Sequence, residues 1–153
     1  MSLASRLAVD VSASGMRVPL SRARVVAAAR AALRSQHVGA ALVSITFVSA
    51  PRMAALNRTH LGRRGATDVI AFGFRRAVPT DPVIGDIYIA PHAAARSARA
   101  LGIGVREELT RLVVHGTLHV LGLDHPADDT RDTSPMWKVQ ERLVRRLTRK
   151  AAA

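Results

Sequence analysis

Three of the six histidines in this chain of 153 residues lie within one short segment. His115 and His119 are four residues apart, so on a helix with about 3.6 residues per turn their side chains lie one above the other. Gly122 follows and can take the left-handed conformation that ends a helix and turns the chain back. His125 would then approach the same point. The spacing predicts a metal site formed by His115, His119 and His125.

Three imidazoles suit zinc and leave a fourth position open for water, as in catalytic zinc sites. Bound zinc lowers the pKa of that water to about 7 and provides hydroxide at neutral pH. The sequence has no cysteine, which removes thiolate as ligand or nucleophile and fits a reducing compartment. We therefore expect one zinc ion per chain, although nickel, cobalt and copper bind the same ligands. The other histidines, His37, His60 and His92, are predicted to be surface or loop residues.

The histidine and glycine spacing matches the extended zinc motif of the metzincin proteases. Those proteases carry a glutamate general base directly after the first histidine, where this chain has Gly116. Peptidase chemistry therefore lacks its proton acceptor. Asp124 either orients a ligand histidine or caps the turn after Gly122, and the cap is the favoured interpretation. Glu108, two turns before His115, is interpreted as a solvated helix residue rather than a partner of the site.

The charge balance is strongly basic, with a formal net charge of +12. Of the 23 basic residues only Lys138 and Lys150 are lysines, and arginine can donate two hydrogen bonds at once to a phosphate. A polyanionic partner such as nucleic acid is therefore favoured, although a GC-rich coding sequence would enrich arginine as well. No secretory signal is visible, and no apolar run approaches the ~20 residues of a membrane helix. We expect a cytoplasmic protein without membrane association.

Hydrophobic periodicity predicts roughly four strands and about five helices, folded over residues 1–153 as one α+β domain with a mixed sheet. Strands are predicted around residues 7–11 and at 41–49, 67–74 and 83–90. Helices are predicted at 21–37, with Ser21 as the cap, and at 51–60, 91–102, 105–121 and 134–149. The last helix should turn four apolar residues inward and four arginines outward: Met136, Val139, Leu143 and Leu147 against Arg142, Arg145, Arg146 and Arg149.

Four ordered blocks of sequence carry a family resemblance. The most specific is HGTLHVLGLDH at residues 115–125; the others are Leu56 and Asn57 followed by TDVIAF at 67–72, GDI at 85–87, and Met136 with Glu141. Together they resemble the YbeY family of bacterial rRNA maturation endoribonucleases over residues 45–144. The resemblance implies a single-domain α+β fold, a metal held by the three histidines, and action on RNA. The implied role is processing of the three-prime end of small-subunit rRNA and ribosome quality control.

One departure from the family concerns a basic side chain. The family commonly has an arginine four residues after the asparagine, where this chain has Leu61. Arg58, Arg63 and Arg64 either supply the charge from a shifted position or form a solvated basic loop. We keep these three arginines as the candidate RNA-binding residues.

Three functions remain open at this point. The first is a metal-dependent endoribonuclease for single-stranded RNA, in which arginines steady the developing charge. The second is a ribosome assembly factor that binds through a fold stabilised by a structural metal. The third is a zinc-dependent peptidase or other hydrolase, which is disfavoured because the glutamate is missing. No general base or nucleophile can be assigned from the sequence.

Overall fold

The computed structural model describes residues 6–13, 15–61, 67–124 and 133–152. Within these ranges it has four strands and five helices, in an order that confirms the predicted one. They are β1 (Leu7–Ala13), α1 (Arg22–Ser35), β2 (Ala41–Phe47), α2 (Ala50–Leu61), β3 (Val69–Gly73), β4 (Val83–Ile89), α3 (Pro91–Leu101), α4 (Val105–Val120) and α5 (Pro135–Ala152). None of the helices described is both long and apolar enough to cross a membrane.

The strands form a single mixed sheet in the order β1-β2-β4-β3. β1, β2 and β4 run parallel to one another, whereas the edge strand β3 is antiparallel to β4. Gly73 of β3 pairs with Gly85 of β4 in this register. The predicted α+β class with a mixed sheet is therefore confirmed.

The two faces of the sheet have separate apolar cores. The larger core joins the sheet to α1, α4 and α5 and includes Leu33, Ile45, Ile87 and Leu118. The smaller core lies under α2, whose Met53 and Leu56 pack with Ile70, Val48, Ala90 and Ala93. α4 is the central helix, since it contacts α1, α3, α5, β3 and β4. The helix that carries the histidine pair is thus held from several sides.

The cap of α1 and the two faces of α5 agree with the predictions from sequence. The Ser21 hydroxyl accepts a hydrogen bond of 3.2 Å from the Arg24 backbone N–H, which confirms Ser21 as the cap of α1. In α5 the four predicted arginines are exposed, and Met136 and Leu143 are buried. Val139 and Leu147 are partly buried against the larger core. The predicted inward and outward faces of α5 are confirmed.

Candidate metal and RNA cleavage site

α4 ends directly after His119 in a glycine turn. Gly122 has a φ of +91°, the left-handed conformation that the sequence predicts there. Its N–H donates to the His119 carbonyl at 2.9 Å, and the Leu123 N–H donates to the Leu118 carbonyl at 3.1 Å. These two bonds form a Schellman motif, which satisfies carbonyls that the helix end leaves without partners. The chain therefore turns back immediately beyond the histidine pair.

The imidazoles of His115 and His119 lie side by side on α4, as their four-residue spacing predicts. Their ring centroids are 4.6 Å apart with an interplanar angle of 72°, and both residues are half-buried. The third predicted ligand, His125, lies outside the described residues. In the ranges that the structure describes, no group of three histidine, aspartate or glutamate side chains is placed to hold a metal. The structure thus brings together two of the three predicted ligands.

Gly116 faces the sheet, which gives a physical reason for the absence of the protease glutamate. A Cβ at this position would lie 2.8 Å from Cγ2 of Ile87, a fully buried side chain of β4, and 3.4 Å from Cγ2 of Val69. A contact of 2.8 Å is shorter than Cβ atoms tolerate, and the branched Ile87 has little freedom to move away. A glutamate would therefore collide with the core instead of reaching the histidines.

The end of α4 packs against two glycines of the sheet. A Cβ on Gly73 would lie 2.4 Å from the Val120 carbonyl oxygen, and one on Gly85 would lie 2.4 Å from Cγ1 of Val120. The paired glycines therefore let the helix approach the sheet closely at the residue that follows His119. This contact sets the distance between the end of α4, which carries the histidine pair, and strands β3 and β4.

A chain of polar contacts leads from His115 to the neighbouring helix α5. His115 Nδ1 lies 2.6 Å from the Gln140 side-chain oxygen, and Gln140 Nε2 donates to Glu141 at 3.0 Å. The Arg111 guanidinium donates to both oxygens of Glu141, each at 2.9 Å. Arg111 also donates to Glu108 at 3.0 Å and to Glu107 at 3.2 Å. The network joins α4 to α5 and ends at His115.

The prediction that Glu108 is solvated is wrong. Glu108 is only 5 % exposed and pairs with Arg111, because α5 covers this stripe of α4. Burial raises the pKa of Glu108 above its ordinary value, although the hydrogen bond from Arg111 opposes the change. Burial would also raise the pKa of Glu141, but hydrogen bonds from Arg111 and Gln140 outweigh it and lower that pKa. Within the network, Glu108 is linked to His115 through Arg111, Glu141 and Gln140.

Arg111 and Gln140 were not predicted from the sequence as residues of the site. Arg111 has a recognisable signal, since it lies four residues before His115 on the stripe that also carries His119. Gln140 has no such signal, because its contact joins residues 25 positions apart. The remaining histidines His37, His60 and His92 are all exposed, which confirms the prediction that they are surface residues. His60 also makes an edge contact with Phe72 at 5.2 Å.

A cavity of about 470 Å³ adjoins His115 and the polar network. Its lining includes four carboxylates, those of Asp68, Glu107, Glu108 and Glu141, and one guanidinium, that of Arg111. Carboxyl groups therefore outnumber basic side chains in this lining. Arg58, by contrast, is exposed on α2, while Arg63 and Arg64 lie outside the described residues.

Comparison with known proteins identifies the family. The profile of the family described as Endoribonuclease YbeY matches residues 16–148. An Endoribonuclease YbeY of Beutenbergia cavernae is 36% identical over 135 residues, which are 83% of this chain and 89% of the relative. That of Pelotomaculum thermopropionicum is 32% identical over 152 residues, 95% of this chain and 93% of the relative. The solution structure of TM1509 from Thermotoga maritima shares the fold, with a TM-score of 0.60 and 22% identity over 94% of this chain and 91% of that one.

The structure thus combines a four-stranded mixed sheet with a histidine pair on the central helix of an α+β fold. The chain belongs to the YbeY family of endoribonucleases. The family is one of metal-dependent endoribonucleases, so RNA is the substrate class and a hydrolytic phosphodiester cleavage is the reaction. The peptidase and pure assembly-factor alternatives are not favoured by these matches.

Proposed function

We propose that this chain cuts single-stranded RNA with the help of one zinc ion held by His115, His119 and His125. The observation that carries the proposal is the pair of imidazoles 4.6 Å apart at the end of α4, followed at once by the left-handed turn at Gly122. Three imidazole ligands leave a zinc ion with an open position for water or substrate. His125 enters the proposal from the sequence spacing.

The residues present fit a zinc ion. The Gln140 side-chain oxygen lies 2.6 Å from Nδ1 of His115, so Nδ1 carries the hydrogen and the lone pair resides on Nε2. A neutral imidazole with its other nitrogen hydrogen-bonded is the usual form of a metal-bound histidine. Zinc, when bound, supplies Lewis acidity toward a phosphoryl oxygen. The residues of this chain hold the imidazole of His115 in the tautomer and the orientation that metal binding requires.

We further propose that the substrate is ribosomal RNA, at the three-prime end of the small-subunit rRNA, and that the enzyme works in the cytoplasm as a single domain of residues 1–153. The blocks of sequence that resemble YbeY rRNA maturation nucleases support this choice. The net charge of +12 supports binding to a polyanion. Single strands are favoured, since their unstacked bases and phosphates can enter a site that a duplex cannot. Arg58, Arg63 and Arg64 are proposed to contact RNA phosphates.

The purified protein is expected to cut a labelled single-stranded RNA and to leave a duplex of the same sequence intact. A chelator should stop the cleavage, and added zinc should restore it, because the imidazoles alone provide no Lewis acid. Gel separation of the labelled products measures both effects. A folded, zinc-loaded protein that leaves every single-stranded RNA intact would contradict the proposed function.

Arg58→Ala is expected to weaken RNA binding about equally for all sequences, because a phosphate contact carries no base information. The plot of log affinity against log salt should become less steep by roughly 0.7 to 1, the contribution of about one phosphate contact. Fluorescence anisotropy of a labelled RNA at several salt concentrations measures this slope. Arg24→Ala removes the same charge from an exposed position on α1 and is the matched control. Equal slopes for the two variants would mean that Arg58 adds only to the overall charge.

A further inference from the structure

Gln140 is a buried amide in the face of α5 that packs against α4. Its side chain is 2% exposed, and its neighbours along this face, Met136, Leu143 and Val144, are buried and apolar. A buried amide lowers stability unless its donors and acceptor find partners. In this structure the partners are His115 on one side and Glu141 on the other.

The two partners fix which end of the amide faces His115. Arg111 donates two hydrogen bonds of 2.9 Å to the Glu141 carboxylate, and this pairing keeps the carboxylate ionised. An ionised carboxylate can only accept, so it takes the Gln140 NH₂ group at 3.0 Å. The Gln140 oxygen is therefore turned toward His115, 2.6 Å from Nδ1.

The orientation of the amide in turn selects the form of the imidazole. An amide oxygen can only accept a hydrogen bond, so the neutral His115 ring carries its hydrogen on Nδ1. Its lone pair is then on Nε2. The opposite tautomer would place two lone pairs 2.6 Å apart and would leave the buried Gln140 oxygen without a donor.

We propose that Gln140 is a positioning residue that selects the His115 tautomer and fixes the direction of its ring, with Arg111 and Glu141 holding the amide in place. The inference rests on the proposed metal site, and it adds to that site three residues that do not touch the metal. It assigns α5 a part in metal binding, because Gln140 and Glu141 both come from that helix. Groups of this kind typically change metal affinity or activity by about 10- to 100-fold.

The test is Gln140→Met in the full-length protein, which removes the acceptor at nearly constant length and leaves no charge. The zinc dissociation constant, measured by competition with a chelator, is expected to rise by about 10- to 100-fold. In the zinc-loaded wild type, proton NMR should show the His115 Nδ1–H as a resonance protected from solvent exchange. That resonance should be lost in Gln140→Met, whereas a merely structural role of Gln140 would leave it in place.

Two further variants separate positioning from stability. Thr110→Val removes a hydrogen bond elsewhere on α4, the one that the buried Thr110 hydroxyl donates to the Arg106 carbonyl at 2.8 Å. This variant should leave zinc affinity unchanged. Gln140→Glu keeps an acceptor for Nδ1–H and should retain zinc affinity near that of the wild type, even though repulsion from Glu141 lowers its melting temperature. Loss of affinity in Gln140→Glu equal to that in Gln140→Met would overturn the inference.

His115→Ala distinguishes failure of this inference from failure of the proposed function. If His115→Ala loses zinc while Gln140→Met binds it as tightly as the wild type, the metal site stands and the positioning role is wrong. If His115→Ala binds zinc as tightly as the wild type, the metal site itself is wrong and the inference fails with it. The expected result is loss of affinity in both variants, larger in His115→Ala.

Discussion

Replacement of His119 by alanine is expected to lower the rate of single-stranded RNA cleavage by about 10³-fold. The His119 ring lies 4.6 Å from that of His115, and without it the proposed site keeps two of its three imidazoles. Loss of about 4 kcal/mol of Lewis-acid stabilisation corresponds to about this change in rate. Single-turnover cleavage of a labelled RNA by equal amounts of wild type and variant measures it. Zinc content per chain should fall in parallel.

The matched control is His92→Ala. His92 is exposed near the start of α3 and belongs to no part of the proposed site, so its loss removes an imidazole from the surface alone. Cleavage and zinc content should equal those of the wild type. A folded His119→Ala protein that retains chelator-sensitive cleavage at the wild-type rate would remove His119 from the site.

Gly73→Ala is expected to lower stability and metal affinity together. The new Cβ would lie 2.4 Å from the Val120 carbonyl oxygen and 3.3 Å from its Cα, so rotation of a side chain cannot relieve the contact. The end of α4 or the edge strand must move, and overpacking of this kind typically costs about 1–3 kcal/mol. For a domain of this size the melting temperature should fall by roughly 2–12 °C. Because Val120 follows His119, zinc affinity should also fall.

Gly39→Ala is the control for this glycine effect. A Cβ on Gly39 meets nothing within 4 Å, and its φ lies outside the left-handed range. The substitution should be neutral or slightly stabilising, since alanine restricts the unfolded chain more than glycine does. Thermal unfolding and chelator competition on both variants check the pair. Equal melting temperatures would mean that α4 does not press on Gly73 as the structure shows.

Local patterns explain why much of the fold could be predicted. The cap at Ser21, the alternation in β2 and the two faces of α5 depend on residues close in sequence, and all are confirmed. The same holds for the adjacency of His115 and His119, which follows from the geometry of one helix. The glycine turn at Gly122 belongs to this group, because its φ is a property of the residue itself.

The parts that could not be predicted depend on contacts between distant segments. Glu108 was misassigned because its burial depends on α5, which covers that stripe of α4 from more than 25 residues away. The hydrogen bond from Gln140 to His115 and the pairing of Arg111 with Glu141 also cross from one helix to the other. The fit of Val120 against Gly73 and Gly85 needs the register of β3 on β4. No periodicity within a segment carries that information.

The central position of α4 has a consequence for how the site can come apart. This helix touches α1, α3 and α5 as well as β3 and β4, so no small group of residues can detach and take the histidine pair with it. Segments held in this way open with a free energy close to that of the whole domain, unlike frayed ends and mobile loops. The backbone of α4 around His115 should therefore exchange its amide hydrogens mainly through global unfolding. We therefore expect the histidine pair to persist for as long as the fold does.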